Sequence, residues 1–277
     1  IAKSILRILP DVGARVASGS VYLEGKNLFE LHEKEMRKVR GNNISMIFQD
    51  PMTALNPVQQ IGDQIAEVVR LHSTGTKESF EKRAKEMLEM VGIPADRYHE
   101  YPHQFSGGMK QRVIIAIALA CNPDLLLADE PTTALDVTIQ AQVLDLIAEL
   151  RHKFNTAMLL ITHDMGVVAT TCDDVAVIYA GNIIEYGTKE QIFDHPSHPY
   201  TIGLFGAIPN MNEDEEWLHP IEGLPPDPSN LPKGCAFHPR CPYATEECRN
   251  QKIEMHITAD GHMCRCCHMR ESGKQEG

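Results

Sequence analysis

The sequence predicts an α/β fold, a mostly parallel sheet with helices on both faces, followed by a small Cys-rich appendage. Three observations carry this. From Gly107 to Tyr179 helical and strand patterns alternate, which calls for crossover connections and parallel strands. Strands such as Leu125-Leu126-Leu127 are apolar throughout, as expected where helices cover both faces of a sheet. Near His195 the composition shifts, and six of the eight cysteines fall between Cys235 and Cys267. A length of 277 residues at 43% hydrophobic content allows one large α/β domain plus such an appendage.

Taken in order, Ile1 to Leu9 reads as a helix. Val21-Tyr22-Leu23 and Ile44 to Phe48 read as short strands, the second rich in β-branched and aromatic residues. Glu33 to Arg40 between them is a charged, exposed helix. Two helical patterns run from Val58 to Val91, broken at Ser73-Thr74-Gly75. The second places Ala84, Leu88 and Val91 at helical spacing. Gly107 to Ala120 is helical, Leu125 to Ala128 a buried strand, and Val137 to Phe154 a long helix. Ala157 to Thr162 is a strand, Met165 to Thr171 a helix, and Val175 to Tyr179 a strand. From His195 to Pro239 the chain is Pro-rich and carries the acidic run Glu213 to Glu216, reading as a surface linker. The expected division is residues 1–194, with a helical subdomain at about 58–112, and residues 195–277.

Composition narrows the function. With 26 basic against 38 acidic residues the net charge is −12. That argues against a sequence-independent nucleic-acid binder, whose affinity rests on neutralising phosphates. No run approaches the roughly 20 apolar residues that span a bilayer; Val113 to Cys121 stops at Asn122-Pro123-Asp124. No signal-peptide pattern is seen either. A membrane role is therefore expected to be peripheral.

The strongest motif is Phe105-Ser106-Gly107-Gly108-Met109-Lys110-Gln111-Arg112, opening a helix. Glycines let the backbone approach a ligand, and a helix N-terminus offers unpaired N–H groups and a favourable dipole to an anion. Ser106 stands at the N-cap. A plain Gly-rich helix start has the same look. Next, Leu125-Leu126-Leu127-Ala128-Asp129-Glu130-Pro131-Thr132 is an apolar strand ending in two carboxylates, at the strand end where ligands bind in open α/β sheets. It resembles a Walker B element, in which Asp129 holds Mg²⁺ and Glu130 polarises the attacking water.

Together these runs resemble the ABC ATPases, and three further matches follow the family order. Ala134-Leu135-Asp136 matches the D-loop, which touches the partner subunit. Ile161-Thr162-His163-Asp164 matches the switch element, whose His163 bonds the γ-phosphate. Gln49 matches the Q-loop, which senses γ-phosphate and Mg²⁺. The resemblance implies an ABC-type P-loop NTPase fold binding ATP and Mg²⁺. Glu130, His163 and Gln49 would be catalytic, and Asp129 and Gln49 would attend the metal. Ser106, Gly107, Gly108, Gln111, Asp129 and Asp136 would contact nucleotide. Family members pair head to tail, each nucleotide lying between one subunit's Walker loop and the other's signature helix.

A P-loop needs G-x-x-x-x-G-K-[ST], whose backbone cradles the phosphates. No such string occurs; Lys3-Ser4 lacks the glycines. The Walker lysine is expected just before residue 1, and the chain as given is expected not to bind ATP productively at its own site.

Asp50-Pro51-Met52-Thr53-Ala54-Leu55-Asn56-Pro57 resembles the stretch of oligopeptide, dipeptide and nickel importer ATPases that meets the coupling helix of a membrane subunit. As a Pro-bounded loop it is expected to expose Met52 and Leu55. His195-Pro196-Ser197-His198-Pro199-Tyr200-Thr201, continuing to Ala207-Ile208-Pro209, resembles the C-terminal extension of that branch, so the resemblance spans essentially the whole chain.

Cys121 and Cys172 stand alone in apolar surroundings and read as core residues. The other six, Cys235, Cys241, Cys248, Cys264, Cys266 and Cys267, read as metal binding rather than disulfides. Three spaced thiolates and a fourth from a distant turn can enclose a tetrahedral zinc or a cubane cluster. The resemblance implies a [4Fe–4S] cluster, with Cys235, Cys241 and Cys248 matching its first three ligands. For the fourth, spacing from Gly261-His262 favours Cys266, with Cys264 and Cys267 as alternatives. The function implied is an ATP-hydrolysing subunit energising peptide uptake at the cytoplasmic face of the cell membrane. Its partners would be a second ATPase subunit, two transmembrane permeases and an extracytoplasmic substrate-binding protein. A soluble, non-transport ABC ATPase is the alternative; those carry tandem ATPase domains or long coiled coils, and neither pattern is seen.

Overall fold

The computed structural model describes residues 1–10, 12–133, 135–207 and 220–268, without the side chains of Pro51 and Met52. Ala134, Ile208, Pro209 and the run Glu213 to Glu216 lie outside the described residues, as does the side chain of Met52. The chain divides into two compact units, Ile1–His163 and Asp164–Gly277.

In chain order the first unit contains α1 (Ala2–Ile5), β1 (Tyr22–Leu23), β2 (Lys26–Asn27), α2 (Glu33–Val39), β3 (Ile44–Ile47) and α3 (Pro51–Ala54). It continues with α4 (Ile61–His72), α5 (Lys77–Met90), α6 (Gly107–Leu119), β4 (Leu125–Asp129), α7 (Val137–Phe154) and β5 (Ala157–Ile161). Strands β3, β4 and β5 form a parallel sheet in that order. Side chains alternate between its faces with period two. Ile47 and Leu126 join a core with Ile61, Ile65 and Val69 of α4, Met87 and Leu88 of α5, and the inner faces of α6 and α7. Ile44, Met46 and Leu127 join a second core with Ala2, Leu6, Leu28 and Met36. Both faces are thus covered, which is why β4 reads as one apolar run.

Two expectations are corrected here. The helix read at Ile1 to Leu9 is one turn, Ala2–Ile5. Arg7 takes φ 54° and its guanidinium donates to the Leu28 and Leu31 carbonyls, and the residue before Pro10 is biased away from helix. Leu55, expected on the surface, is 4% exposed and packs in the core with α4 to α7. Its neighbours are tied down by Gln64, whose Oε1 accepts from the Asn56 amide and whose Nε2 donates to the Asn56 and Gln59 carbonyls.

The second unit contains α8 (Met165–Thr171), β6 (Asp174–Tyr179), β7 (Asn182–Thr188), α9 (Lys189–Asp194), α10 (Pro199–Gly206), α11 (Glu246–Asn250), β8 (His256–Ile257) and β9 (Met263–Cys264). The strand read at Val175 to Tyr179 does not continue the parallel alternation. It pairs antiparallel with β7 across a two-residue turn, in a sheet of order β6-β7-β9-β8. Ala180 and Gly181 both have positive φ, 46° and 77°, as the tightest hairpin turns require. Nor is the segment at His195 simply a surface linker. Glu185 of β7 is 0% exposed, and its carboxylate accepts from the Ser197 amide (2.6 Å), the His198 amide (3.0 Å) and His262 Nε2 (2.9 Å). A buried carboxylate needs such donors. Cys121 is half-buried, its thiol reaching the Val68 carbonyl at 3.7 Å, and half-buried Cys172 packs against the second unit's core.

Candidate functional site

The parallel register brings three separated residues to one sheet edge. Ile47 pairs with Ala128, and Asp129 with Ile161. Gln49, Glu130 and His163 each stand one or two residues beyond a strand's carboxyl end, where ligands bind in open α/β sheets. Gln49 Nε2 donates to Glu130 Oε2 at 2.6 Å, and Thr133 Oγ1 to the same oxygen at 3.0 Å. His163 Nδ1 lies 3.1 Å from Glu130 Oε1. The His163 hydrogen bond, then those of Thr133 and Gln49, hold the Glu130 carboxyl below its ordinary pKa. Glu130 sits at φ 48°, unusual for a residue with a side chain, while its amide donates to the Ile161 carbonyl at 2.8 Å. Half-buried Asp129 closes β4 beside it. Thr133 is the member the motifs did not point to; only its place after the Walker B-like run marks it.

Helix α6 begins at a Ser106 N-cap whose oxygen accepts from the Met109 amide. Ser106 and Gly107 are exposed. The two glycines differ. A Cβ on Gly107 would meet nothing within 4 Å, whereas one on Gly108 would lie 2.7 Å from Ile139 Cγ2 of α7. The approach to Ser106 is braced by Arg97, whose guanidinium lies 4.3 Å from the Phe105 ring centroid, pairs with Glu100 and donates to the Gln104 carbonyl. Gln111 is not on this exposed end. It is 0% exposed, its Nε2 donates to the Pro131 carbonyl at 2.5 Å, and its Oε1 has no hydrogen-bond partner among the described residues. Asp136 caps α7, accepting from the Ile139 amide.

In the second unit Cys235, Cys241, Cys248 and Cys266 line one cavity, together with Cys267 and His268. Gly234 makes this possible. At φ 72° a Cβ there would meet the Cys248 carbonyl oxygen at 2.3 Å, so only glycine lets the Cys235 amide donate to that carbonyl at 2.8 Å. Burial raises the thiol pKa values of Cys235, Cys241 and Cys266. For Cys248 burial works against ionisation, yet hydrogen bonds from the Thr245 side chain and backbone and from Cys267 leave it below its ordinary value. Cys264, in β9, is fully buried and is not among the residues lining the cavity; burial, then the charge of Glu185, raises its pKa strongly. Four thiols from three segments around one cavity suit a soft metal centre or an iron–sulfur cluster.

Among the described residues no helix is long and apolar enough to cross a membrane. Comparison with known proteins is consistent with these features. Residues 2–133 match the ABC transporter family model, and residues 184–248 match the C-terminal region of oligopeptide/dipeptide transporters. Among solved structures, a dimeric ATP-binding cassette bound to ADP and Pi after hydrolysis is similar with a TM-score of 0.56. It shares 28% identity over 62% of this chain and 74% of that one. An ABC transporter component from Clostridium perfringens gives 0.59 at 25% identity, over 70% and 73%. These define the class, an ABC ATPase, a family that hydrolyses ATP with Mg²⁺. The chain is also 56% identical over 233 residues to an oligopeptide transport ATP-binding protein of Haemophilus influenzae, covering 83% of this chain and 72% of the relative. It is 49% identical over 267 residues to a dipeptide transport ATP-binding protein of Bacillus subtilis, covering 96% and 80%. The chain belongs to the ATP-binding subunits of oligopeptide/dipeptide ABC importers.

Proposed function

We propose that Gln49, Glu130 and His163 surround the γ-phosphate and attacking water of an ATP, with Asp129 and Gln49 attending its Mg²⁺. The convergence of three such side chains on one sheet edge carries this reading. A carboxylate held ionised by hydrogen bonds is suited to orienting a water rather than donating a proton. Glu130 gives up its present partners as the nucleotide arrives, and His163 and Gln49 turn to phosphate and metal. Ser106, Gly107 and Gly108 face an ATP held by a second ATPase subunit, and Asp136 lies near that contact. Gln111 acts from behind, joining α6 to the Walker B-like turn. The nucleotide-binding domain in this reading runs to residue 194, with the helical subdomain at about 58–112.

ATP-driven pairing and its reversal move the Asp50 to Pro57 loop against transmembrane permeases at the cytoplasmic membrane face, coupling hydrolysis to uptake of peptide brought by an external binding protein. These 277 residues contain no G-x-x-x-x-G-K-[ST] string. By themselves they supply catalytic side chains without a backbone cradle, so we read this stretch alone as not turning over its own ATP. With a phosphate-binding loop supplied ahead of residue 1 and the partner subunits present, Glu130→Gln is expected to hold ATP in a closed pair with turnover reduced at least about a hundredfold. Normal turnover in that variant would remove Glu130 from the chemistry.

Cys235, Cys241, Cys248 and Cys266 would hold a [4Fe–4S] cluster, which supplies a covalent tie between otherwise separate loops; zinc on the same thiolates is the alternative. Reconstitution with iron and sulfide is expected to give broad visible absorbance that Cys241→Ser abolishes. A colourless protein binding zinc through the same cysteines would favour the alternative.

A further inference from the structure

The cavity holds more donors than the four-cysteine set needs. Ligand atoms of Cys248, Cys267 and His268 all lie within 4.8 Å of one another, with the two sulfurs 3.1 Å apart. Cys248 is buried, Cys267 half-buried and His268 exposed, so the trio opens to solvent on one side. Two thiols and an imidazole are a soft donor set that suits Zn²⁺ and disfavours Mg²⁺ or Ca²⁺, which want oxygen. Three protein ligands with an open side is the arrangement that leaves a tetrahedral zinc one exchangeable position, filled by water.

We propose that Cys248, Cys267 and His268 form a labile Zn²⁺ site, distinct in its ligands from the four-cysteine set and sharing only Cys248 with it. Sharing that sulfur makes the two occupancies exclusive. The exclusivity rests on the cluster reading above, whereas the zinc site rests on its own geometry. His268 is the discriminating residue, because no reading of the four-cysteine set uses it.

The test takes the full chain, freed of metal and kept reduced, and titrates it with Zn²⁺ against a chromophoric chelator. Co²⁺ serves as a spectroscopic stand-in whose sulfur-to-metal charge-transfer band grows with the number of thiolates bound. The expected result is one Zn²⁺ per chain and a two-thiolate Co²⁺ spectrum. His268→Asn and Cys267→Ser should each weaken Zn²⁺ binding by about tenfold or more, with Cys241→Ser changing it less than about threefold. Because His268 is exposed, its variant keeps the test valid should Cys267→Ser fail to fold. A four-thiolate spectrum lost in Cys241→Ser and untouched by His268→Asn would overturn the proposal, as would absence of Zn²⁺ binding. Iron–sulfide reconstitution in parallel separates the two readings: visible absorbance requires Cys241 and ignores His268, and Zn²⁺ added first should suppress it. Failure of the cluster to assemble leaves the Zn²⁺ titration standing on its own.

Discussion

His198 is 1% exposed, and its Nδ1 accepts from the Tyr200 amide at the start of α10, so that nitrogen carries no proton in the folded chain. Its ring lies beside Phe237, with centroids 5.9 Å apart. Burial holds its pKa down at about 4, against about 6.5 in an unfolded chain. Between these values the unfolded chain binds a proton that the folded chain refuses, so stability rises with pH across that window. The contribution is full above pH about 6.5 and is lost as pH falls toward about 4, a change of the order of 3 kcal/mol. His198→Asn keeps a capping side chain and removes the titration. Urea midpoints of the full chain should show the parent losing about 3 kcal/mol more than the variant from pH 7 to pH 4; parallel curves would show that His198 titrates freely when folded.

The paired glycines at the start of α6 separate packing from function. Gly108→Ala forces a methyl against Ile139 and should cost about 1–3 kcal/mol. Gly107→Ala meets nothing and should leave stability within about 0.5 kcal/mol. If Gly107 faces a partner's nucleotide, its alanine variant melts normally yet pairs poorly with ATP, which sedimentation alongside thermal melts would read. Equal loss of stability in both variants would reduce the motif to packing. Elements with strong punctuation were legible in advance: α7 runs from Val137 to Phe154 as read, because Asp136 caps one end and Asn155 takes the left-handed conformation at the other. The β6–β7 hairpin was not, because Asp174 to Thr188 holds strand residues on both sides of a turn marked only by Ala180-Gly181, and the preceding alternation suggested a crossover instead. Leu55 misled for a similar reason: flanking prolines predict a loop, and nothing local reveals that Gln64 pulls this loop inward over an apolar core.

At the scale of the molecule, the meeting of Gln49, Glu130 and His163 was readable because parallel strands turn three distant motifs into neighbours, whereas Thr133 and the positive φ of Glu130 emerge only from folding. In the cysteine region the sequence predicts a metal site, which stays a proposal, and it does not single out the last thiol: Cys266 and Cys267 line the cavity while Cys264, in β9, does not. Its elements are short: β8 and β9 have 2 residues each and α11 has 5. Such pieces are not stable alone and need tertiary ties. The ties present are the buried Glu185 with its three donors and the Gly234–Cys248 apposition, to which the proposed metal or cluster would add. A metal or cluster held by the folded form alone adds its binding free energy to the stability of that region. Chelation of the loaded full chain should therefore speed hydrogen exchange in residues 234–268, including the Cys235 amide bonded to the Cys248 carbonyl. Amides of α6 and of the β3–β4–β5 sheet should keep their protection, since their cores hold no metal donors of this cavity. Exchange by mass spectrometry before and after chelation measures both. Unchanged protection at residues 234–268 would mean that the hydrogen-bonded carboxylate and the glycine contact hold this region without a metal.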